Sequence, residues 1–83
     1  MSLFYLHQQV EGGLIEDPDG TEAVNLAAVK LETIKASRQL IANAILNGTI
    51  PLAKAFQITD AFGTVLAVVS LREALPPGLC DLG

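Results

Sequence analysis

Little in this 83-residue sequence is equipped for chemistry: it has one cysteine, one histidine, one tyrosine and no tryptophan, and only 17% of its residues are charged. A lone cysteine, Cys80, excludes an internal disulfide, and with His7 as the sole imidazole the chain lacks the ligands of a structural zinc site. Such cysteine usage suits a reducing compartment. Basic residues are also scarce: five Lys and Arg against nine Asp and Glu give a net charge of -4, so a phosphate backbone meets net repulsion and no nucleic-acid partner is expected. No apolar run approaches the ~20 residues of a membrane span, and Met1-Ser2-Leu3-Phe4 carries no basic leader region. A soluble, cytoplasmic protein without a membrane partner is the expectation.

What is present in quantity is apolar surface. Half the chain is hydrophobic (51%) and mean hydropathy is +0.46, the reverse of a disordered composition. The length allows one domain, read here as residues 1–75 followed by a C-terminal tail, 76–83. Leu3 to Val10 is rich in large aliphatic and aromatic residues and runs into Gly12-Gly13, which marks a strand and a turn. Alternation puts Phe4, Leu6, Gln8 and Val10 on one face and Leu3, Tyr5, His7 and Gln9 on the other. Asp17-Pro18-Asp19-Gly20 has the residues of a tight reversal, with Thr21 to Val24 as its return arm in a small hairpin or hook.

Asn25 suits an N-cap, and a helix should run from Leu26 to about Asn47, stopped by Gly48 and Pro51. Its apolar arc gathers Leu26, Ala27, Val29, Leu31, Ile34, Leu40, Ile41, Ala44 and Ile45, with Glu32, Lys35, Gln39 and Asn43 opposite. Ala55 to Thr59 and Thr64 to Leu71 then read as a hairpin closed by Asp60-Ala61-Phe62-Gly63, and Arg72 to Leu75 adds one helical turn. Gly20 and Gly63 should each take a positive backbone angle. The expected fold is α+β, one long helix packed on a small antiparallel sheet in β-β-α-β-β order, with the last hairpin central.

In this order, Phe4-Tyr5-Leu6-His7, Leu14-Ile15-Glu16-Asp17-Pro18-Asp19-Gly20-Thr21-Glu22, Asn25-Leu26-Ala27-Ala28-Val29 and Ile58-Thr59-Asp60-Ala61-Phe62-Gly63 resemble a family of short uncharacterised proteins frequent in alphaproteobacteria. The family pairs an aromatic strand ending in His with an Asp-x-x-Gly-x-Glu turn, an alanine-rich helix and a closing hairpin. The resemblance covers about residues 2 to 75. It implies a domain of unknown function and brings no activity with it. Here Asn25 stands where an Asp is common, the helix is less charged, and the tail beyond Leu75 is extra.

Candidate chemistry centres on His7, since histidine suits proton transfer at neutral pH. An enzymatic or small-ligand reading makes His7 a base oriented by Glu16 or Asp17, but no nucleophile accompanies it: Ser37 and Ser70 lack any Gly-x-Ser-x-Gly setting. The bland alternative is a structural, hydrogen-bonding histidine. Glu16, Asp17, Asp19 and Glu22 do not match a calcium loop, because counting from Asp17 puts Glu22 where that loop needs glycine. No metal or cofactor is expected. Cys80 has no basic neighbour and stands beside Asp81, which disfavours a thiolate. Lys30, Lys35 and Arg38 scatter around the helix and form no basic stripe. The reading is a non-catalytic interaction domain that self-associates as a homodimer. Leu3, Tyr5, Leu66 and Val68 on the second sheet face are its interface candidates, with Leu79 to Leu82 available to cover the same surface.

Overall fold

A computed structural model of the chain describes residues 1–75. The expected tail, the covering role given to Leu79 to Leu82 and the inert Cys80 lie outside the described residues.

The first strand, β1 (Ser2–Val10), turns at Glu11-Gly12 into β2 (Gly13–Ile15), which pairs back with Gln8 opposite Ile15 and Val10 opposite Gly13. Beyond the loop 16–20, β3 (Thr21–Ala23) pairs with the start of β1, Ser2 opposite Ala23 and Phe4 opposite Thr21. This corrects the expected hairpin across Asp17 to Gly20: the two arms do not pair with each other but lie end to end along one edge of β1. Both arms are three residues long whereas β1 has nine, so lying along β1 pairs its edge and both arms together. The other edge of β1 pairs with β4 (Ala53–Thr59), which in turn pairs with β5 (Val65–Ser70). The five-stranded antiparallel sheet has the order β2-β1-β4-β5, with β3 beside β2 on the β1 edge. The last hairpin is therefore central only through β4, and β5 is an edge among the described residues.

Helix α1 (Leu26–Leu46) begins at Asn25, whose side chain accepts from the Ala28 N–H at 2.9 Å. It ends in a Schellman closure, Thr49 N–H to the Ala44 carbonyl at 2.8 Å and Gly48 N–H to Ile45 at 3.1 Å. The helix covers one sheet face. Phe4, Ala23, Val29, Ile58 and Val69 form one part of the core, and Ala53, Phe56 and Leu71 form another with Leu6, Val10, Leu40 and Ile41 against them. The Phe4 face of β1 is thus the inner one, as its alternation indicates.

The buried stripe of α1 matches the hydrophobic arc only in part: Val29 and Ala44 are buried, and Leu26, Ile34, Leu40 and Ile41 pack against the core. Its centre is Thr33 and Ser37, both wholly inaccessible, while Leu31 is 62% exposed and Ile45 and Ala27 also face outward. The hydroxyls are satisfied within the helix, Thr33 Oγ1 donating to the Val29 carbonyl at 2.7 Å and Ser37 Oγ to Thr33 at 2.8 Å. Their burial leaves no unpaired polar atom, and these small side chains fit between helix and sheet. A 3₁₀ turn, Leu71–Ala74, follows β5 and is tied to α1 by Arg38 Nε donating to the Ala74 carbonyl at 2.9 Å.

Both expected glycine angles are present, φ 78 at Gly20 and φ 83 at Gly63. In the β4–β5 turn, Asp60 Oδ1 accepts from the N–H groups of Phe62 and Thr64 at 2.8 and 2.9 Å. The register shifts just before this turn: Ile58 faces Ala67 but Thr59 faces Val65, leaving Leu66 as the extra residue of a bulge.

Candidate functional site

Residues on the sheet face away from α1 meet the 16–20 loop in an open cavity of about 260 Å³, lined by Tyr5 and His7 from β1, Glu16 and Asp17 from the loop, and Thr59 and Asp60 at the end of β4. The sequence candidates Tyr5, His7, Glu16 and Asp17 are therefore brought together. Leu3 lies at the start of β1, and Leu66 and Val68 lie across the sheet on β5.

His7 is committed at both ring nitrogens. Its Nδ1 accepts from the Asp17 backbone N–H at 3.0 Å, and its Nε2 stands 3.3 Å from Thr59 Oγ1. An acceptor at Nδ1 requires the proton of a neutral ring at Nε2, so Nε2–H donates to Thr59 Oγ1. The Thr59 hydroxyl in turn donates a hydrogen bond to the Asp60 carbonyl at 3.2 Å. Tyr5 stacks nearly parallel to the imidazole, with centroids 6.1 Å apart and planes at 11°. This hydroxyl is the one that sequence reading missed. No local signal marks it, because the long-range β1–β4 register is what puts Thr59 opposite Tyr5.

Asp17 does not orient the imidazole with its carboxylate. Oδ2 accepts from the Leu6 N–H at 3.2 Å, while Oδ1 accepts from Asp19 and Gly20 at 3.1 and 3.2 Å. Leu6 lies between the β1 residues paired to β3 and those paired to β2, so the carboxylate supplies an acceptor where the edge has no strand. Partial burial pushes the Asp17 carboxyl up. The hydrogen bonds from Leu6, Gly20 and Asp19 outweigh it and hold Asp17 below its ordinary value of 3.8.

Glu16 is exposed at the rim, and Ser37 is sealed under α1. The hydroxyl nearest His7, Thr59, faces a ring nitrogen that carries a proton and so is not activated as a nucleophile. Among the described residues no group of three or more His, Cys, Asp or Glu side chains could hold a metal ion, and no helix is long and apolar enough to cross a membrane. What the arrangement does chemically is fasten the loop 16–20 to the sheet through ring, carboxylate and hydroxyl.

Compared with curated proteins and with solved structures, the chain has no match. The match to a family model extends over residues 3–72, from β1 into the start of the 3₁₀ turn, and so spans the sheet, the helix and the His7–Asp17 clasp alike. The chain belongs to the family described as a domain of unknown function (DUF6894).

Proposed function

We propose that this is a non-catalytic protein-interaction domain that associates with a second copy of itself. One observation carries the reading: the sheet face turned away from α1 has no covering element among the described residues, and it keeps Leu3, Leu14, Leu66 and Val68 exposed. Apolar side chains grouped on one side of a small domain favour association. The engagement of both His7 nitrogens supports a structural role for that residue over a base. A bacterial, reducing cytoplasm is the setting in this reading, and a single cysteine suits it. Sedimentation equilibrium over a micromolar concentration series tests it. A mass rising toward twice 8.7 kDa is the expected result, and a mass of one chain throughout overturns it.

The cavity beside His7 favours a second reading, a small-ligand module using His7, Glu16 and Asp17. Its test is a fragment screen followed by NMR. Ligands that move the His7, Tyr5 and Thr59 resonances together support it, and a screen without such shifts removes it.

A further inference from the structure

The exposed apolar groups are not spread evenly over the open face. Its middle is polar, with His7 and Gln9 of β1 beside Gln57 of β4. The apolar groups stand at the two margins, and those margins differ. On the β1 side the edge consists of two three-residue strands interrupted by a loop with Pro18 and three carboxylates, Glu16, Asp17 and Asp19. Short strands, proline and charge are the features that prevent a sheet edge from recruiting another strand. The β5 edge is built differently. It is six residues long, Val-Leu-Ala-Val-Val-Ser, without proline or charge, and among the described residues it pairs on one side only, with β4. Val65 and Val68 are each 49% exposed there and Leu66 39%. The bulge at Leu66 disturbs the start of the strand and leaves Ala67 to Ser70 in regular register.

Resting on the self-association reading, we propose that the dimer forms edge to edge: β5 of one copy pairs antiparallel with β5 of a second copy about a two-fold axis at Val68, joining the two sheets into one. The argument for a second copy is electrostatic as well as geometric. Two chains of net charge -4 repel, and β5 is where they meet without placing like charges opposite each other. Centring on Val68 sets it against Val68 of the second copy and Leu66 against Ser70, so the exposed apolar groups of both copies become neighbours on one face. Packing the open faces against each other would instead bury the polar middle. A single strand pair buries less than the ~800 Å² per partner of a standard interface, so the dimer is concentration-dependent.

The experiment combines sedimentation with oxidative cross-linking in a full-length Cys80→Ser background, with folding checked by circular dichroism. Residues directly opposite across an antiparallel pair have Cβ atoms ~4.5–5.5 Å apart. Val68→Cys should give a covalent dimer, a mixture of Leu66→Cys and Ser70→Cys should cross-link more than either alone, and Leu3→Cys should remain monomeric. Val68→Lys, which sets two ammonium groups opposite each other, should raise the dissociation constant about tenfold or more. A monomer at every concentration overturns both this pairing and the self-association reading, including the cases where the chain's own tail or a foreign peptide occupies the edge. A dimer that cross-links through Leu3→Cys and not through Val68→Cys overturns the edge pairing alone.

Discussion

Asp17→Ala removes the carboxylate that stands in for a strand at the gap between β2 and β3. Three backbone donors lose their acceptor, those of Leu6, Asp19 and Gly20. Asp19 is exposed, so its N–H turns to water at small cost. The Leu6 N–H lies on a half-buried strand, and a donor left unsatisfied there costs about 1–3 kcal/mol. With the turn loosened as well, the loss comes to about 2 kcal/mol, or about 10 °C in the melting temperature of a domain this small. Asp17→Asn keeps one acceptor oxygen but turns an NH₂ toward an N–H, so it should lose about half as much. The pH dependence gives an independent check. Because the folded carboxyl titrates below 3.8, its contribution is complete above that value and is lost as pH falls through the depressed folded value. Thermal melts followed by circular dichroism from neutral pH into acid should show wild type and Asp17→Asn converging below 3.8. An unchanged melting temperature for Asp17→Ala, or a gap that persists undiminished in acid, refutes the account.

Gly63→Val places a β-branched residue at φ 83 with open space around it, so backbone strain alone should cost at least ~1 kcal/mol. Gly20→Ala should cost more, because the added carbon meets Leu3 Cδ1 at 2.9 Å and the Phe4 carbonyl at 3.1 Å; equal or higher midpoints in urea would count against both. His7→Gln should fold with a loss of about 1–2 kcal/mol as the Asp17 and Thr59 bonds are remade imperfectly, and nitrogen NMR of the wild type should show the neutral ring protonated at Nε2. The opposite tautomer would break the proposed chain of bonds. Thr33→Val keeps the buried shape and removes a hydroxyl bonded only to its own helix, so its stability should lie within about 1 kcal/mol of wild type; a loss of several kcal/mol would show that the hydroxyl holds something else.

The elements with local signals were legible. Asn25, Gly48 and the Asp60 to Gly63 turn announce themselves because caps and turns depend on side-chain oxygens and glycine angles within a few residues. The inner face of β1 followed from alternation. Three things were not legible. The pairing of β3 with the start of β1 reaches back across β2 and the loop, and Asp17 to Gly20 looks the same whether its arms pair together or lie in line. The buried centre of α1 was hidden because Thr33 and Ser37 score as polar, while their hydroxyls bond to the helix itself. In the site, His7, Glu16, Asp17 and Tyr5 are close in sequence and were found together. Thr59 arrives from beyond the helix, and only the β1–β4 register brings it there.

That register also orders assembly in time. β1 leaves the ribosome first, and β4, its central partner, emerges only after the whole of α1. Until then β1 has one edge held locally by β2 and β3 and the other bare, and α1 has only part of a sheet to lie on. A nascent chain that stalls before Thr59 carries an apolar strand with one edge unpaired, the kind of exposed edge that invites aggregation, and its coverage waits on the β4–β5 hairpin.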